Sequence, residues 1–117
     1  MGALRGARSL DAASRRLAVE AVGELARASL TLRTRGWGAA SKGLLQVAGR
    51  HDPAEVDHVQ SMVDRVADHL PWHPTCLRRS LATQKMLDRR GVGGVVRFTM
   101  PDPAAGREGH AWVEPLT

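Results

Sequence analysis

The sequence predicts an α+β fold in which helices come first and a short antiparallel sheet follows. Three observations carry this. Apolar residues recur at helical spacing in three blocks before Gly91. Two β-branched or aromatic blocks come after it. Nothing alternates strand with helix as a repeated βαβ unit would. The 117 residues, 43% apolar and 25% charged, suit one small compact domain rather than a disordered chain.

The first block spans residues 10–32. Its stripe is Leu10, Ala13, Leu17, Ala21 with Val22, Leu25, Ala28 and Leu32. Arg15, Arg16, Glu20 and Arg27 take much of the remaining face. Gly36-Trp37-Gly38 breaks the pattern, and a short helix is expected over 39–49, around Leu44, Leu45 and Val47. Asp52-Pro53-Ala54-Glu55 is a start signal: an N-cap, a proline in the first turn, then an acid. It opens a helix over 53–69 whose apolar positions are Val56, Val59, Met62, Val63 and Val66, with Leu70 just beyond. Pro71-Trp72-His73-Pro74 is a tight connector.

Thr75 caps a third helix, 76–90, with Leu77, Leu81, Ala82, Met86 and Leu87 on its buried side. Arg89 and Arg90 suit its negative end, and Gly91 the position past it. Residues 95–100 read as a strand with Val96, Phe98 and Met100 on one face. Pro101-Asp102-Pro103 and Gly106 form a polar loop, and His110 to Glu114 a second strand pairing with the first.

Charge divides the chain into a basic helical region, 1–50, and a core, 51–117. The first holds nine Lys and Arg against three acids, the second eight against nine. A basic helical face is ordinarily just solvated. The functional alternative is a surface for an acidic peptide or protein. Nucleic acid is disfavoured: no groove-reading motif is present, and Trp37, Trp72, Trp112 and Phe98 are the only aromatics. No apolar run approaches the ~20 residues of a membrane helix, and no signal-peptide pattern opens the chain. One cysteine excludes an internal disulfide and an all-cysteine metal cage, and points to the reducing cytoplasm. No cofactor or metal is expected.

Cys76 falls in the first turn of the third helix. Unpaired N–H groups there favour thiolate and can bond an oxygen anion forming beside it. The plain alternative is a small buried core residue. Arg78 and Arg79 add positive field if they lie close. A thiolate nucleophile needs a base, and five histidines are available. His51 and His58 read as surface or capping residues, and His69 as a contact at a helix C-terminus. His73, in the connector, and His110, at the start of the last strand, can both face the cysteine.

Cys76-Leu77-Arg78-Arg79-Ser80-Leu81-Ala82, then Leu87-Asp88-Arg89-Arg90-Gly91-Val92, then His110-Ala111-Trp112-Val113-Glu114, approached through Leu70-Pro71 and Pro74, resemble the transglutaminase-like leader peptidase of lasso-peptide biosynthesis. The likeness covers residues 66–114 and fits the stand-alone form of that enzyme. It implies a transglutaminase-like, papain-like cysteine peptidase core that removes the leader from a ribosomally made precursor. It also implies a separate leader-recognition protein and an ATP-dependent cyclase acting downstream. Cys76 becomes the nucleophile and His110 the general base and acid, with the Cys76 N–H as oxyanion donor.

Two departures follow. The family places an orienting acid on the strand after the histidine, whereas this sequence stops at Thr117, so a core lacking its last strands is expected. Glu114, Asp102 and Asp68 are the acids available. Glu114 shares His110's face but lies ~13 Å along the strand at ~3.3 Å per residue. Residues 95–100 also lack the glycine usual in that strand. Trp112, two positions after His110, is expected as a core anchor, and Trp72 either covers the cleft or fills the core. Because the acid is missing, the alternative is a non-catalytic transglutaminase-like scaffold that binds precursor and partner. A true transglutaminase is a further rival.

Overall fold

The computed structural model describes residues 11–116, apart from 100, 101, 103, 105, 107 and 108. Leu10, Met100, Pro101 and Pro103, all part of the reading above, lie outside the described residues. The elements are α1 (Asp11–Ser41), β1 (Gln46–Val47), α2 (Pro53–Asp68), α3 (Cys76–Arg89), β2 (Gly94–Thr99) and β3 (His110–Pro115). No helix among the described residues is long and apolar enough to cross a membrane.

Among the described residues, three helices and a three-stranded antiparallel sheet of order β1-β2-β3 make the α+β fold expected. Two details differ. Residues 39–49 do not form a separate helix. Helix α1 instead runs on to Ser41 across a kink at Gly36, whose φ of 81° only glycine adopts readily. After a turn the chain becomes β1, pairing Gln46 with Val95 and Val47 with Gly94. The apolar run Leu44, Leu45, Val47 is too short to distinguish strand from helix by periodicity. A strand therefore comes before α2, and the helices do not all precede the sheet.

Both predicted caps form. The Asp52 carboxylate accepts from Glu55 N at 3.2 Å, and Thr75 Oγ1 from Arg78 N at 3.4 Å. Gly91, with φ of 67°, follows α3 as expected. The core gathers Leu17, Ala21 and Leu25 of α1, Val56, Val59 and Val63 of α2, Ala82, Met86 and Leu87 of α3, and Val96, Ala111 and Val113 of the sheet. In α1, Ala13 and Val22 are exposed, because Ala21 rather than Val22 keeps step with Leu17 and Leu25. Phe98 shares Val96's side of β2 but is exposed, and meets Trp37 edge-to-face at 6.4 Å.

Candidate active site

The first wall of the site is the start of α3. Pro74 is buried, and its carbonyl accepts from Arg79 Nε at 3.0 Å. The same guanidinium reaches Asp68 at 2.9 Å and Asp64 at 3.5 Å, tying the end of α2 to the start of α3. These contacts fix the turn that carries Cys76, which is half-buried and unpaired. Ser80 and Thr83, one and two turns on, are buried. Their hydroxyls donate to the carbonyls of Cys76 and Arg79, both at 2.9 Å. They furnish a polar floor whose donors are already used.

The second wall is β3, which pairs with β2 from Thr99 opposite His110 through to Gly94 opposite Pro115. Gln60 of α2 clasps its outer edge. Val113 N donates to Gln60 Oε1 at 2.7 Å, and Gln60 Nε2 donates to Val113 O at 3.1 Å. The Val113 backbone therefore faces away from β2. By the alternation of antiparallel ladders, so does that of Ala111. The opposite edge agrees, since Val96 N turns from β3 to donate to Leu45 O at 2.9 Å. At the strand start, His110 N donates to Thr99 Oγ1 at 3.0 Å.

Between the walls lies a cleft of about 570 Å³. Gln60, Asp64 and Asp68 line it from α2, with Pro74, Cys76, Arg79, Ser80 and Thr83 from the connector and α3. His110, Ala111 and Trp112 complete it from β3. Cys76 and His110, separated by 33 residues of chain, thus share one cleft. No hydrogen bond joins the thiol to the imidazole. The ring of His110 is exposed and stacks on Trp112, with centroids 5.5 Å apart and planes 25° apart. Trp112 is pinned in turn: its Nε1 donates to Glu114 Oε2 at 2.9 Å, and Arg97 Nε donates to Glu114 Oε1 at 3.1 Å. The indole hydrogen bond first, and Arg97 second, hold the Glu114 carboxyl below the usual carboxylate range.

Several expectations change. Trp112 is not a core anchor: it is half-exposed and lines the cleft. Its face of β3 lies opposite the buried Ala111 and Val113. Glu114 shares that face, and its hydrogen bonds run to Trp112 and Arg97. Asp102 is exposed in the loop and does not line the cleft, whereas Asp68 lines it in an ion pair with Arg79. The charge of Arg79 is thereby matched by carboxylates, and Arg78 points to another groove. His73 is exposed and lies off the cleft walls. His51 Nδ1 contacts Leu116 O at 3.2 Å, while His69 caps α2 and its Nδ1 contacts Arg65 O at 2.8 Å.

Gln60 was not foreseen. The available signal was a polar residue in step with Val56, Val59 and Val63 on the inward face of α2. Among the described residues, no three His, Cys, Asp or Glu side chains gather as metal ligands would. A family model described as the transglutaminase-like superfamily matches residues 17–116. Comparison with curated proteins and with solved structures finds no match.

Proposed function

The chain belongs to the transglutaminase-like superfamily, which includes cysteine peptidases, and on that premise we propose that it removes the leader peptide from a ribosomally made lasso-peptide precursor. One observation carries the chemistry: a cysteine at a helix start and a histidine at a strand start line the same cleft. The peptide class rests on the Cys76–Ala82 and His110–Glu114 blocks, which resemble the stand-alone leader peptidase.

The thiolate of Cys76 attacks the carbonyl at the leader–core junction. The amide of Cys76, at the first position of α3, is the donor for the oxygen anion that forms. His110 holds the thiol proton and passes it to the core peptide's amine as that amine leaves. The leader remains as a thioester. Water, deprotonated by His110, then releases it as a carboxylic acid and restores the thiol. An extended substrate can align on the cleft-facing N–H and C=O of Ala111, where Gln60 occupies the next edge position.

The imidazole turns from its stack on Trp112 to meet the thiol as substrate binds, since catalytic hydrogen bonds often tighten only in the complex. Trp112 is then a positioning residue that holds the ring at the cleft, and Glu114 with Arg97 fixes the indole. In this reading the enzyme works in the cytoplasm with a separate leader-recognition protein, ahead of an ATP-dependent cyclase. The test is mass spectrometry of the co-encoded precursor after incubation with the protein and that partner. Expected products are free leader acid and core peptide, absent with Cys76→Ala. Amide exchange without hydrolysis would instead indicate a transglutaminase. Bound but intact precursor would indicate a scaffold.

A further inference from the structure

A second groove, of about 450 Å³, lies on the other side of the first turn of α3 from the cleft. Ala26, Ser29, Leu30 and Arg33 of α1 line it, with Trp72 of the connector and Arg78 of α3. Its mouth is apolar: Leu30 is 62% exposed and Trp72 45%. These belong to a second stripe on α1, with Val19 at 71%, Val22 at 38% and exposed Ala26, at helical spacing and off the buried face. Exposed apolar side chains gathered in one patch and rimmed by polar residues mark an interaction site.

Charge identifies the kind of partner. Arg33 and Arg78 have no ion pair or hydrogen bond from their guanidinium groups to any described residue, and no carboxylate lines the groove among the described residues. Ser29 Oγ is buried there without a hydrogen-bond partner. The groove therefore offers an apolar surface, two uncompensated cations and a hydroxyl free to donate. Its position identifies which chain it serves. Arg78 stands two residues after Cys76 and Trp72 four before it, so only the thickness of α3 separates the groove from the nucleophile. A helix about 10 Å across is spanned by about three extended residues.

We propose that this groove is an exosite for the substrate polypeptide. It takes a precursor segment a few residues from the scissile bond, one that presents a large apolar side chain flanked by carboxylates. The inference rests on the peptidase reading for its substrate, but binding can be measured without turnover. Fluorescein-labelled full-length precursor is titrated into Cys76→Ala protein, alone and combined with Arg33→Glu/Arg78→Glu or with Leu30→Ala. Each combination is expected to weaken binding about tenfold, and added salt to erase most of the arginine effect. In protein with Cys76 intact, the arginine pair is expected to raise KM for full-length precursor. Cleavage of a short peptide spanning only the junction is expected to stay unchanged. Equal binding by all variants, or no binding of precursor at all, overturns the exosite. Groove-dependent binding with no cleavage by wild type overturns the peptidase reading alone.

Discussion

The Glu114 carboxylate receives the Trp112 indole at 2.9 Å and Arg97 at 3.1 Å, and so stands one ring away from His110. In the proposed reaction its effect is therefore indirect. Trp112→Ala is expected to lower kcat about tenfold, with KM little changed, because the ring loses its rest position. Trp112→Phe keeps a stacking face and is expected to recover most of the loss, which a merely structural residue would not predict. Glu114→Gln keeps both the indole and an acceptor for it and is expected to lower kcat less than Trp112→Phe. Steady-state kinetics on the precursor separates the three. Cys76 was legible as a candidate from Thr75 and the helix start, and His110, which local signals left beside His73, from the resemblance of the His110–Glu114 block. The partners of Arg79 and Glu114 were not, because they depend on which face each element turns to its neighbours.

Among the elements, α2 and α3 were readable to within a residue at their ends, since caps and prolines act locally. Strand β1 was not, because two residues carry no periodicity and exist as a strand only beside β2. Gln84 shows what holds that corner. It is fully buried on α3, and its Nε2 donates to Leu44 O at 2.7 Å and Gly94 O at 3.0 Å, tying α3 to the turn that leads into β1 and to β2. A Cβ on Gly94 would overlap Gln84 Oε1 and lie 3.0 Å from Leu87 Cδ1. Gly94→Ala is therefore expected to destabilise by about 1–3 kcal/mol in urea unfolding. Gln60→Ala removes two hydrogen bonds to β3 and is expected to cost about 2 kcal/mol, with the larger loss in activity because His110 rides on the same strand.

Across the whole molecule, α1 is joined to the far end of α3 by charge as well as by packing. Glu20 accepts from Arg90 Nη2 at 2.6 Å and from Arg89 Nη1 at 3.0 Å, and the buried Glu24 accepts from Arg89. Arg90 first, then Arg89, hold the Glu20 carboxyl below its usual range against the opposing effect of burial. A carboxyl depressed in the folded state stabilises above its unfolded pKa, about 4.3, and that gain is lost as pH falls through the lower folded value. Glu20→Gln is expected to cost about 1–2 kcal/mol at neutral pH. The wild-type advantage should be level from pH 8 to 5 and shrink below about pH 4 in thermal unfolding. The sequence places Glu20 on the polar face of α1 and Arg89 and Arg90 at the negative end of α3, with nothing to join them. Only the antiparallel meeting of α1 and α3 makes them a cluster. Of the basic character of the first fifty residues, the fold leaves Arg33 beside an apolar groove rather than on a bare solvated face. Whether Cys76 forms a covalent link to the leader is read from intact-mass analysis of an acid-quenched mixture of enzyme and precursor, followed by fragment mapping. The expected species is enzyme heavier by the leader less one water, with the added mass on Cys76. Unmodified enzyme beside released leader, or an adduct on another residue, would contradict it.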